Sequence, residues 1–211
     1  VIDKLLKARG YMPNERCLLL GTADGDKGFT RLVRRRIRRI AKKYGAMTAT
    51  GYVTRRWEHG RFMDPYLRED LQDYGIIIDT LECSVPWDRL EDVWVNVRGF
   101  CKSRPHTICM SHSSHFYPQG TNLYFIFIAK MDGEEYLEYQ PRIIDHICKS
   151  GAALSHHHGI GRMLAPWYEE SLGKNELNLL RAIKAYLDPN NILNPGGTLA
   201  LDLPPDEKRQ L

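Results

Sequence analysis

Apolar positions recur along this chain with two different periods. At the helical spacing, Val33, Ile37, Ile40, Ala41 and Tyr44 form one stripe, and Leu90, Val93, Trp94 and Val97 form another. The first helix is expected to end at Gly45, a suitable C-cap, and the second to open at Pro86, because proline suits a first helical turn. Two more helices are predicted over 134–149 and 175–187. Strand-like runs lie at 15–23, ending in Asp24-Gly25-Asp26, and at 76–81, 107–116 and 122–130, with a shorter one at 46–52. Pro118-Gln119-Gly120 joins two of these runs. The second of that pair is apolar on both faces, as a central strand is. Residues 54–74 are mixed, with Trp57, Phe62, Tyr66 and Tyr74 set among charges and a break at Pro65.

This order predicts an α+β fold, an antiparallel sheet covered by helices in a ferredoxin-like arrangement over residues 1–150. Beyond 150 the composition turns to loops. Residues 151–211 are expected to form a C-terminal helical segment with a loose tail.

With 211 residues, 43% hydrophobic and 27% charged, the chain can bury a core, which excludes wholesale disorder. The longest apolar run, 123–129, is strand-sized and far short of the ~18 residues of a membrane span. The chain begins at Val1 with no targeting pattern, so its natural N-terminus is expected to lie further upstream. Five cysteines without a C-x-x-C pair argue for free thiols in a reducing, cytoplasmic setting. The net charge of +4 conceals a concentration: residues 31–43 hold eight basic side chains and no acid. Helical spacing makes that run a solvated helix face over a buried stripe. No aromatic platform accompanies it, so no nucleic-acid partner is expected.

The most pointed chemistry is Ser155-His156-His157-His158-Gly159-Ile160-Gly161. On an extended segment, neighbouring side chains face opposite ways, so only His156 and His158 would point together. Three readings of the residues stand: a ligand-binding or catalytic cluster, a metal site completed by His112 or His115, or a structural turn. The glycines allow close backbone approach and leave room for a flat ring.

Taken with Asp188-Pro189-Asn190-Asn191-Ile192, Tyr66-Leu67-Arg68-Glu69, the 82–89 stretch Glu-Cys-Ser-Val-Pro-Trp-Asp-Arg and Leu123-Tyr124-Phe125, that motif resembles the C-terminal part of the alkyldihydroxyacetonephosphate synthases. These are FAD-linked enzymes of the vanillyl-alcohol-oxidase superfamily. The resemblance runs from about residue 15 to 195 and implies the cap, or substrate, domain of a longer polypeptide. The glycine-rich FAD-binding domain of that family has no counterpart here, so the chain by itself is expected to be inactive.

The resemblance further implies that Tyr124 is an active-site acid/base. A phenol ordinarily titrates near ~10 and needs cationic neighbours to act at neutral pH. It implies that Arg68 holds an anionic substrate group, bidentately as guanidinium does. His156, His157 and His158 would lie beside the flavin, with His158, Gly159, Gly161, Asn191 and Asn194 as cofactor contacts and no metal. The family exchanges the acyl group of an acyl-dihydroxyacetone phosphate for a fatty alcohol, in ether lipid synthesis, without net redox by FAD. A lipid-like or small acidic substrate, the chain's own FAD-binding domain, a homodimer and peripheral membrane contact follow as expected partners, with a peroxisomal location if the source is eukaryotic. Two departures sit near the substrate channel: a shorter connection at 102–107, and His112-Ser113-Ser114-His115-Phe116-Tyr117 where the family strand is threonine-rich. The FAD-linked 2-hydroxy-acid oxidoreductases share His-Gly-Ile-Gly but carry glutamate before it, where this chain has His157. They are the alternative reading, and a non-catalytic histidine-based metal-binding domain is the alternative from another class.

Overall fold

The computed structural model describes residues 2–13, 15–48, 50–197, 200–204 and 206–208. The chain divides into two compact units, 1–66 and 67–211.

The first unit holds α1 (Ile2–Ala8), α2 (Lys27–Lys43), α3 (Tyr52–Gly60) and the start of α4 (Asp64–Gln72). Asp26 caps α2 by accepting from the Gly28 and Phe29 amides at 2.7 and 2.9 Å. The helix closes as the pattern predicted. Gly45, at φ +73°, donates to Lys42, and Ala46 donates to Ala41, the paired bonds of a glycine-terminated helix.

Two expectations fail in this unit. No strand forms at 15–23 or among the described residues of 46–52, and Tyr52 instead opens α3. Leu18 and Leu19 are two-thirds exposed, since a lone apolar run without a strand to pair with leaves its backbone unsatisfied and adopts no sheet. The α2 stripe is amphipathic but not buried: Ile37 and Ile40 are half exposed and Tyr44 nearly fully so. No described residue of this unit is buried, so within it nothing covers that face.

The second unit is built on β1 (Ile76–Pro86), β2 (Thr107–Ser114) and β3 (Gly120–Lys130), in the spatial order β1-β3-β2 and antiparallel throughout. Helix α5 (Leu90–Ser103) connects β1 to β2, and α6 (Gly133–Lys149) follows β3. The β1 strand runs on to Pro86, so α5 starts later than proline placement suggested. This β-α-β-β-α order is the α+β arrangement predicted. A single antiparallel bridge, Ser84 to Ala153, stands where a fourth strand would lie beside β1.

Strand alternation then sorts the side chains. Leu81, Cys83, Val85, Leu123, Phe125, Phe127 and Ala129 point into the core with Val93, Val97 and Cys101 of α5 and Ile143, Ile144 and Ile147 of α6. Each fully buried large side chain contributes ~1.5–3 kcal/mol. Leu154, Leu164 and Trp167 join the same core, so residues after 150 pack with the sheet domain rather than apart from it. The intervening positions, among them Glu82, Asn122 and Tyr124, lie on the opposite face. Helices α7 (Ala165–Leu172) and α8 (Lys174–Leu187) complete the unit. All five cysteines are free, three of them buried. No helix of the described residues is long and apolar enough to cross a membrane.

Candidate functional site

The site begins with a register. Glu82 of β1, Tyr124 of β3 and His112 of β2 stand directly opposite one another across the sheet. They share the face that α5 and α6 leave free. Tyr124 is half-buried there, its ring centroid 5.2 Å from that of His112. Burial, and secondarily the charge of His115, lowers the His112 pKa from its ordinary value.

Glu82 is 5% exposed and sits where an apolar residue would be expected. Its Oε1 accepts four hydrogen bonds from the segment that follows the Ala153 bridge: Ser155 Oγ at 2.9 Å and the amides of His156, His157 and His158 at 3.1, 2.9 and 2.7 Å. Successive amides wrapped on one anion form a nest, and the charge holds the backbone in that curl. Burial alone would raise the Glu82 carboxyl. The amides of His157 and His158, the Ser155 hydroxyl and the Asn122 amide outweigh it and hold the pKa at about 2.

The curl overturns the expectation that only two of the three histidines point together. The segment is not extended, and all three rings meet: His156 to His157 at 5.2 Å between centroids and His157 to His158 at 4.5 Å. Gly159 continues the turn at φ +82°, donating to Ser155 Oγ at 3.1 Å. Gly161 is also left-handed, and an added Cβ at either glycine would meet nothing within 4 Å, so conformation rather than space calls for glycine here.

Around this turn the sequence-predicted residues assemble in part. Tyr124 Oη lies 3.3 Å from His157 Nε2, although 33 positions separate the two. His156 Nε2 meets Tyr117 Oη at 3.1 Å, and His156 Nδ1 meets His157 Nδ1 at 3.0 Å. The His115 ring lies tilted against those of His156 and His157, at 5.1 and 4.9 Å between centroids. Two donor sets, His115/His156/His157 and Glu82/His157/His158, are close enough to gather around one ion, so His115 rather than His112 is the third histidine of the metal alternative.

Arg68 is exposed on α4 and has no hydrogen bond or ion pair among the described residues, so no contact ties it to the cluster. Asn191 and Asn194 adopt left-handed backbone at φ +51° and +50°, conformations asparagine tolerates in turns. Their segment is anchored by buried Asp188, which accepts from the Ile192 and Leu193 amides at 2.9 Å and pairs with Lys184. Arg162, one residue past Gly161, donates to the Gly196 carbonyl at 3.1 Å and so links the two loops.

Sequence reasoning missed Glu82, Asn122 and Tyr117. The available signal for Glu82 was a carboxylate between Leu81 and Cys83, in a strand that also carries Asp79. Beside Glu82, Ser155, His158 and residues 159–164 line a cavity of about 200 Å³, smaller than the roughly 300–1,000 Å³ of whole ligand sites. The chain thus presents a wall of donors and one small recess, suited to one end of a ligand held from another side.

Residues 1–198 match the family described as FAD linked oxidases, C-terminal domain. The alkyldihydroxyacetonephosphate synthase of Dictyostelium discoideum is 32% identical over 189 residues, covering 85% of this chain and 31% of that protein. A solved structure of alkyldihydroxyacetonephosphate synthase superposes with a TM-score of 0.59 at 27% identity, covering 81% of this chain and 30% of the other. The glycolate oxidase subunit GlcD of Bacillus subtilis (strain 168) is 40% identical over 60 residues, 28% of this chain and 13% of that protein. The chain spans about a third of the length of the curated synthases it matches.

Proposed function

The chain belongs to the FAD linked oxidase C-terminal domain family, and from that premise we propose that it is the substrate-facing part of an FAD-dependent alkyldihydroxyacetonephosphate synthase-type enzyme. Its work would be to exchange the acyl group of an acyl-dihydroxyacetone phosphate for an alkyl group. The observation that carries this reading is the Tyr124–His157 pair at 3.3 Å, in a cluster open on one side. The residues present fit one wall of a flavin site: exposed imidazole edges offer N–H donors, and Gly159 and Gly161 add no bulk. His158, Gly159 and Gly161 would hold the flavin, with Asn191 and Asn194 in the turn that Arg162 ties to the same loop. Bound there, the flavin would supply an electrophilic centre for the exchange.

This chain's residues handle the proton and the charge. Tyr124 takes the proton from the carbon that bears the ester, with His157 as its immediate partner. The N–H donor of His158 stabilises the enolate-like charge that develops. Arg68, an exposed guanidinium without a partner among the described residues, is available for the phosphate. In the flavin-loaded enzyme, Tyr124→Phe is expected to lower turnover by about 10²-fold or more with flavin content unchanged, the size of a lost acid/base group. Turnover within about threefold of the unsubstituted enzyme would defeat the assignment.

The similarity to glycolate oxidase supports a second reading, oxidation of a 2-hydroxy acid. Bleaching of the flavin by a 2-hydroxy acid under anaerobic conditions would favour it. Incorporation of labelled fatty alcohol into an ether favours the first.

A further inference from the structure

We propose that Glu82 is a positioning residue that fixes the tautomer of His157, holding the proton on Nδ1 so that Nε2 is free to receive the proton of Tyr124. This rests on the reading of Tyr124 and His157 as the reacting pair. Its own ground is the unequal use of the two Glu82 oxygens. Oε1 takes all four donors of the nest, while Oε2 is buried without a hydrogen-bond partner. The His157 Nδ1 lies 3.3 Å from that oxygen. A lone pair on Nδ1 would face a buried negative charge and leave Oε2 unpaired, a costly state, whereas a proton there satisfies it after a small turn of the ring.

A second contact at Nδ1 comes from His156, whose Nδ1 lies 3.0 Å away and whose Nε2 meets Tyr117 Oη at 3.1 Å. One proton between the two facing Nδ1 atoms joins the rings, and the carboxylate beside His157 draws it to that ring. Asn122 faces the same atom through its amide, with Nδ2 at 3.3 Å, while its Oδ1 is buried and unpartnered. That amide also serves the Glu82 carboxylate, which it helps to hold ionised. The Glu82 carboxylate, an acceptor only, calls for the proton on Nδ1. The Tyr124 hydroxyl then donates to Nε2. When the transfer occurs, the Tyr124 O–H bond breaks, the Nε2–H bond forms, and the imidazolium is held by a carboxylate that stays ionised. Phenol, imidazole and carboxylate thereby form a relay of the kind seen in nucleophile–histidine–carboxylate triads. The register pairing of Glu82 with Tyr124 brings its two ends to neighbouring strands.

The test is long-range ¹H–¹⁵N correlation of the histidine side chains in this chain at about pH 8, above the usual imidazole range. The His157 signals are identified by their absence in His157→Gln. The expected result is a protonated Nδ1 and a bare Nε2. In Glu82→Gln, the new amide turns its oxygen to the nest and its NH₂ to Nδ1, so the tautomer is expected to invert. In the flavin-loaded enzyme the same substitution is expected to lower kcat on the order of 10²-fold, with KM changed less than about threefold, because the wrong tautomer disables the base and spares binding. A His157 protonated on Nε2 in the unsubstituted chain overturns the proposal, even if Glu82→Gln fails to fold. An unchanged tautomer in folded Glu82→Gln overturns it too. Full turnover in Tyr124→Phe would instead remove the functional reading, with Glu82's control of the tautomer still supported by the spectra.

Discussion

Acid should unlatch the histidine turn, and the size of the effect follows from one carboxylate. Glu82 is nearly fully buried, and its pKa lies at about 2 in the fold against an ordinary 4.5. A depressed folded value means that the ionised form stabilises the native state. The contribution is complete above 4.5, the unfolded value, and is lost as pH falls from there toward 2. At about 1.4 kcal/mol per unit, the depression amounts to about 3 kcal/mol. Asp26, Asp188, Asp202 and Glu135 are also held below their ordinary ranges, so acid weakens the fold at several places at once.

The Glu82→Gln substitution isolates one of them. Glutamine keeps an acceptor oxygen for the nest but carries no charge to titrate, and the other acids cancel in the difference between the two proteins. Urea unfolding of both chains between about pH 7 and pH 2 should show a stability gap of about 3 kcal/mol at neutral pH. The gap should hold to about pH 5 and fall to under about 1 kcal/mol by pH 2. A gap that stays constant across that range, or widens in acid, would refute the argument that charge-assisted bonds to Glu82 hold the turn.

Two further substitutions test the core and the C-terminal loop. Phe127→Ala, at a fully buried position beneath α6, should cost about 3–5 kcal/mol in urea unfolding; a loss under about 1 kcal/mol would mean that the core closes up around the gap. Asp188→Asn weakens the anchor of the Ile192 and Leu193 amides and of Lys184, and should speed proteolytic cleavage within 189–197 while leaving the sheet intact; equal cleavage rates in the two proteins would show that the turn is held by other contacts.

The sheet was legible in the sequence because its signals are local. Apolar alternation, the Pro118-Gln119-Gly120 turn and the spacing of Val93 and Val97 depend on residues close in the chain, and the structure keeps each of them. The run at 15–23 carried a similar signal and forms no strand, since a strand also needs a partner and periodicity does not supply one. Likewise, the α2 stripe announces an apolar face without saying what covers it. The eight-residue α7 is too short for its period to stand out, although its proline in the first turn was a usable sign.

The candidate site was half legible for a related reason. Tyr124 and the three histidines could be named from motifs, but their meeting depends on Glu82, which lies more than 70 positions before the turn it holds. A buried carboxylate within a strand of isoleucines, leucine and valine is a local inconsistency, because the charge must be satisfied from elsewhere in the chain. Here it is satisfied by backbone amides, which any sequence could provide. The composition of 155–158 therefore shows that imidazoles are present, and only the register of β1 against β3 shows why they face the phenol. That distinction also separates the readings of the histidines. A metal site of His115, His156 and His157 needs the rings alone, whereas the proton relay needs Glu82 across the sheet from Tyr124, with one oxygen filled by the turn and the other open toward His157.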